Sequence, residues 1–219
     1  MVLVSCNSLA QKIDISLDYS VTYVIPKSND TIRLSIGDSG KMIFTDSKSL
    51  AKEFGSSFGS LIPTAPEQTD AKILLDLKAN KMYMEAKVAD NVMLMNLDIL
   101  NFIPKPTRNA DSVAVRAELN GETYFVMDRL HDLYNIISDG KEGISFKMAF
   151  DENYPLDFNN TFSPFIQLIT GGELVLDFPS GVILYAEDAN GAEVLRAIDI
   201  RNEAQRIEAN FNLNQIFPQ

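Results

Sequence analysis

The feature that most constrains this chain is a two-residue alternation of apolar and polar side chains. It returns in short runs separated by turn formers. Residues 13–25 read IDISLDYSVTYVI, with Ile13, Ile15, Leu17, Tyr19, Val21 and Tyr23 at every second position. Successive side chains of a strand point to opposite faces, so this run predicts one half-buried strand. PKSND then supplies a turn, and TIRLSI repeats the pattern through Ile32, Leu34 and Ile36. Asp38-Ser39-Gly40 turns again before KMIFT. Three such runs with short connections predict an antiparallel meander.

The pattern resumes with AKILLDL, a KANK turn, KMYMEAKV and NVMLMNLDIL. NFIPKPTRNAD is the longest polar connection and suits a crossing at a sheet edge. SVAVRAEL, Asn120-Gly121 and ETYFVMD predict a hairpin, because Asn-Gly fits the positive φ angles of a type I′ turn. LYNIIS, Asp139-Gly140 and the run through Phe150 predict a second. LVLDF, GVILYAED, an Ala-Asn-Gly turn at 189–191 and EVLRAIDIR complete the sheet, and EANFNLNQIF adds a last strand.

Two stretches carry helical spacing instead. Ser47 can cap a segment with Leu50, Phe54 and Phe58 at i, i+4 and i+8, kept short by Gly55 and Gly59. In PLDFNNTFSPFIQLITGG, Ser163 suits an N-cap, Pro164 the first helical position and Gly171 the C-terminal cap. Phe158, Phe162, Phe165, Ile166 and Ile169 would share its apolar face. With no repeat and no linker, residues 12–219 read as a single mainly β (α+β) domain.

Composition removes several function classes. Hydrophobic residues make up 46% of 219 and the formal net charge is −11. That supports a sizeable core and a self-repelling surface. It opposes nucleic-acid binding, which needs clustered Lys and Arg. One cysteine permits no internal disulfide, and one histidine, His131, excludes a multi-histidine metal site. No GxSxG elbow and no Gly-rich phosphate loop is present. No apolar run approaches the roughly 20 residues of a transmembrane helix. No metal or cofactor is expected.

The first residues, MVLVSCNSLAQK, resemble the end of an export leader. Ser8-Leu9-Ala10 before Gln11 suits signal-peptidase cleavage after Ala10, and Leu3-Val4-Ser5-Cys6 resembles a lipobox in which Cys6 is acylated. Residues 1–11 are therefore read as a leader remnant, with a disordered tail or first strand as the alternative. Export implies a periplasmic protein, or an outer-membrane-attached one if Cys6 is lipidated.

Candidate ligand-contacting residues are apolar. Met42, Met82, Met84, Met93 and Met95 fall in neighbouring strands. Flexible, polarizable thioethers suit an irregular or variable apolar surface, and equally an ordinary core. Phe158, Phe162, Phe165 and Ile169 could line the underside of a helical lid, or pack permanently. Asp151, Glu152 and Asp157 read as a solvated turn, with acid–base work as the rival. His131 reads as a surface or hydrogen-bonded histidine rather than a catalytic one. Arg33, Arg116 and Arg196 read as exposed, or as reaching a carboxylate or phosphate headgroup.

The order of elements resembles the LolA/LolB-like superfamily of periplasmic lipoprotein carriers, and more closely an exported bacterial family of that architecture. The residues that carry the resemblance are ILLDLKANKMYM at 73–84, PLDFNNTFSPFIQLITGG at 155–172 and GVILYAEDANGAEVLRAIDI at 181–200. It spans roughly residues 12–213. It implies a strongly curved antiparallel half-barrel whose open side is covered by short helices. It also implies an apolar cavity for a lipid or lipoprotein acyl chain, and no catalysis. The alternative is a structural or protein-interaction module of the envelope with a filled core.

Overall fold

The computed structural model describes residues 11–47, 70–88, 91–98, 113–138, 146–159, 161 and 174–211. The protein is mainly β, as its alternation predicts. Among these residues fourteen strands follow in chain order: β1 (Gln11–Leu17), β2 (Tyr19–Ile25), β3 (Asp30–Gly37), β4 (Met42–Thr45), β5 (Asp70–Asp76), β6 (Lys81–Val88) and β7 (Asn91–Asp98). Then come β8 (Val113–Val126), β9 (Arg129–Ser138), β10 (Phe146–Asp151), β11 (Leu174–Asp177), β12 (Val182–Glu187), β13 (Glu193–Arg201) and β14 (Gln205–Phe211). Twelve of them form one open sheet in the order β11-β8-β9-β10-β12-β13-β2-β3-β4-β5-β6-β7. β1 and β14 pair separately as an antiparallel ribbon.

The predicted meander is present, from β2 through β7. A second antiparallel run, β8-β9-β10, is joined to it through β12 and β13, and β11 adds the parallel pairing beside β8. Register slips at Ala149/Phe150, Ala186/Glu187 and Ala197/Asp199 mark bulges along the joining strands. Bulges bend and twist a sheet locally. Residues from both arms consequently meet in one apolar cluster. Ile73, Leu75, Met82 and Met84 of β5 and β6 belong to the same cluster as Val126, Leu133, Ala149, Val182 and Leu184. The face that carries this cluster is called the inner face below.

Residues 13–25 are not one strand. The alternation runs unbroken, but the chain changes sheets at Asp18, whose N–H donates to the Ile36 carbonyl (2.7 Å). Ile15 and Leu17 of β1 lie on the outer face of the big sheet with Leu74 and Tyr83, whereas Tyr19, Val21 and Tyr23 of β2 enter the inner core. Gly37 makes the crossing possible. A Cβ there would collide with the Ser16 carbonyl oxygen and stand 3.0 Å from Leu17 Cα.

The hairpin turn predicted at Asn120-Gly121 is also corrected. Both residues lie inside β8, and the turn to β9 is Met127-Asp128, with φ of 53° and 60°. The pairing jumps from Leu119–Tyr134 to Thr123–Asp132, so residues 120–122 oppose Leu133 alone. Gly121 takes φ of 80° in this bulge. Asn-Gly was misread because a turn and a bulge ask for the same left-handed backbone. The 189–191 turn stands: Asp188 accepts N–H bonds from Asn190 and Ala192, and Gly191 has φ of 77°.

Among the described residues no helix covers the open side of the sheet. Ser47 is buried, but the rest of the helical segment expected at 47–58 lies outside the described residues. Phe158, Asn159 and Thr161 are helical, and residues 162–173 lie outside. Residues 1–10, with Cys6 and Ala10, lie outside as well.

Candidate functional site at the inner face

The inner face is continuous and apolar through its middle, and it ends differently at its two extremities. Tyr19, Val21, Tyr23, Ile32, Ile36, Ile43, Met82, Met84 and Leu184 are all buried there. One extremity is closed by the chain segment that follows β10. Tyr19 donates its hydroxyl to the Pro155 carbonyl (2.9 Å), and its ring meets that of Tyr154 at 5.3 Å. Leu156 is buried in the core. The N–H groups of Gly181 and Val182 donate to the carbonyls of Leu156 (3.1 Å) and Tyr154 (3.0 Å). Thr161 Oγ1 donates to the Gly40 carbonyl (3.2 Å). Gly40 has φ of 89°, and a Cβ there would stand 2.9 Å from Leu156 Cα.

The opposite extremity is polar. Register places Glu118, Asn135, Lys147 and Glu187 side by side on β8, β9, β10 and β12. They share a face with Leu133 and Ala149, two residues along, because directly opposed residues project to the same side. Lys147 Nζ lies 2.7 Å from Glu122 Oε2 and 3.6 Å from Glu187 Oε1. Asn120 Nδ2 donates to Asn135 Oδ1 (3.2 Å) and to Glu122 Oε2 (3.3 Å). Tyr185 donates its hydroxyl to Glu187 Oε2 (2.7 Å). The hydrogen bond from Lys147, then its charge, holds the Glu122 carboxyl below its ordinary range. That same hydrogen bond raises the Lys147 ammonium.

Between these ends lie two stacked tyrosines. Tyr124 and Tyr185 meet at 3.8 Å between ring centroids and 18° between planes. They come from strands separated by β9 and β10, and Ala149, with no exposed surface, lies opposite both Leu133 and Tyr185 in the register. The small side chain leaves room for the rings to lean together. Burial raises both phenols, and for Tyr185 the Glu187 hydrogen bond raises it further.

The sequence-derived candidates are divided by this geometry. Met82 and Met84 lie on the inner face, each 2% exposed. Met42 is on the other face, packed with Ile15, Leu17, Leu74 and Tyr83 beneath the β1–β14 ribbon. Met93 and Met95 occupy register positions opposite Ala86 and Met84. Phe158 stands 5.0 Å from Phe178, which stands 6.2 Å from Phe150, and Phe150 meets Tyr134 edge-on at 5.5 Å. Phe150 alternates with Ala149, so this aromatic group lies on the outer face. Phe162, Phe165 and Ile169 lie outside the described residues.

Asp151 is buried and accepts both the N–H and the Nδ2 of Asn153, so it organises a turn. Asp157 accepts Thr161 N–H with its backbone carbonyl. Arg33 donates to Ser20 Oγ (3.2 Å), Arg116 to Glu118 (2.7 Å) and Arg196 to Glu193 (2.9 Å). No group of three metal-ligating side chains occurs among the described residues, and none of their helices is long and apolar enough to cross a membrane.

Sequence reasoning missed Lys147, Glu122, Asn135, Tyr124, Tyr185 and Glu187. Only the i, i+2 relations Lys147–Ala149 and Tyr185–Glu187 could have placed some of them on one face. Comparison with protein-family models and with curated proteins returned no match.

Proposed function

We propose that this chain binds an apolar, chain-like ligand of the lipid or acyl class against its inner face, without catalysis. The observation that supports it most is the single apolar cluster on an open sheet, sealed by the chain at one end and bordered by polar side chains at the other. Such a gradient suits a molecule with an apolar tail and a polar head. Each methylene withdrawn from water contributes about 0.8 kcal/mol, so a tail burying about eight of them gains roughly 6 kcal/mol before the costs of association. In this reading the segments around 47–58 and 158–170 are helices that cover the open side.

The proposed setting is the cell envelope, with cleavage after Ala10 or acylation of Cys6. Both the setting and the ligand class draw on the LolA/LolB-like resemblance, which is a fold-level analogy. Native mass spectrometry of the full chain after gentle extraction should show an adduct of lipid mass, and a bound fluorescent fatty acid should be displaced by unlabelled laurate. A lipid-free chain that neither takes up nor releases the probe would remove this reading.

A second reading, a protein-interaction module of the envelope, is favoured by one observation. Phe125 and Leu130 face each other across β8 and β9, 64% and 68% exposed. Leu119, on the same strand as Phe125, is equally exposed.

A further inference from the structure

His131 is the single histidine of the chain. β9 places it directly opposite Tyr124 and two residues before Leu133. Both neighbours belong to the inner apolar cluster or pack against it, so the imidazole shares the inner face. Its Nε2 is buried and has no hydrogen-bond partner among the described residues. Buried polar atoms are nearly always paired, because an unpaired one has given up its bonds to water without replacement. The nearby inner-face residues Val126, Leu133 and Ala149 carry no polar side-chain atom, and the Tyr185 hydroxyl is committed to Glu187. Among the described residues Nε2 therefore has no hydrogen-bond partner, the Tyr124 directly opposite included.

We propose that His131 Nε2 receives the polar group of the bound ligand. It donates its N–H to a carbonyl oxygen at the head of an acyl chain, and the tail lies along the inner apolar cluster. This assignment rests on the apolar-ligand reading above and adds to it the residue that recognises the acyl head group, which a plain hydrocarbon lacks. In the proposed contact Nε2 carries the hydrogen, and a carbonyl oxygen, which only accepts, is its fitting partner. Tyr124 lies directly across from the same point, and Leu133 and Ala149 separate it from the polar row at Asn135 and Lys147, so the head group would sit one step inside that row, within the apolar face.

The test uses the full chain carrying a fluorescent fatty acid, displaced by methyl decanoate or by an alkane of matched length. Replacing His131 by Leu should weaken methyl decanoate about five- to tenfold, the value of one hydrogen bond, and leave the alkane unchanged. Because the chain has one histidine, 15N-histidine labelling yields one imidazole. Its Nε2 signal in the unmutated protein should move with methyl decanoate and stay still with the alkane, which decides the matter even if H131L fails to fold. Displacement by both ligands with an indifferent imidazole signal would overturn the His131 assignment alone, leaving a buried water as the partner of Nε2. Displacement by neither would overturn the apolar-ligand reading and this assignment together.

Discussion

The two ends of the inner face are finished by opposite means. At the Tyr19 end, backbone meets backbone: Gly40 lies under Leu156, and the 154–156 segment pairs with Gly181 and Val182. At the Lys147 end, long side chains meet one another with much of their surface in water. Backbone contacts admit one geometry, because a closely packed interior cannot absorb an added atom without shifting. Side-chain contacts at a wet rim can be remade with water or with a ligand's polar group. The comparison teaches that the closed end belongs to stability, whereas the polar end is held by contacts that can be exchanged, as the proposed ligand-binding reading requires.

Two glycines break or sharpen this contrast most directly. Gly40 and Gly121 both have strongly positive φ, 89° and 80°. A Cβ at Gly40 would crowd Leu156, whereas one at Gly121 would meet nothing within 4 Å. Gly121→Ala should therefore cost only the left-handed strain of an L-residue, about 1–2 kcal/mol. Gly40→Ala adds overpacking and should cost about 2–5 kcal/mol in total. Denaturant midpoints of the two variants measure the difference. Equal losses would mean that the closed end is no tighter than the bulge in β8.

A smaller effect is expected from the tyrosine hydroxyls. Tyr19→Phe deletes the bond to the Pro155 carbonyl and should cost about 1–2 kcal/mol, since that carbonyl loses its partner at the sealed end. Tyr185→Phe should cost less, because Glu187 keeps Lys147 nearby and has access to water. A greater loss for Tyr185→Phe in thermal unfolding would reverse the assignment of stability to the closed end.

The closed end and the polar end also differed in how far they could be read from sequence. Strand alternation located nearly every described strand, since a strand's two faces impose a period of two whatever it pairs with. Alternation cannot say which sheet a strand joins, and so the break at Asp18 was invisible: Ile15, Leu17, Tyr19 and Val21 keep one rhythm across two sheets. For the same reason Met42 could not be told from Met82 and Met84, although the faces differ. The true β8–β9 turn carries Met127-Asp128, which gives no turn signal, while Asn-Gly stood seven residues earlier in a bulge. The polar row was legible only as scattered charges. Glu118, Asn135, Lys147 and Glu187 come from four strands, and only register brings them together.

That row gives the smallest of the expected effects. Lys147→Met removes the partner that depresses the Glu122 carboxyl, so the Glu122 titration should move up toward its ordinary range. A depressed carboxylate contributes stability above its unfolded pKa and loses it as pH falls through the folded value. The raised Lys147 ammonium contributes below its ordinary value and loses it as pH rises through the folded one. The pair therefore acts across the neutral window between these limits, weakly, because both groups are solvated and salt screens them. NMR titration of the Glu122 carboxyl in low and high salt reads this directly. An upward shift in K147M, with little change in unfolding midpoint, fits a rim whose bonds are exchangeable. An unmoved Glu122 would show that Lys147 does not hold it in solution. A large loss of stability would show that the row is a structural clamp like the Tyr19 end, and the head of a ligand would then have to enter elsewhere.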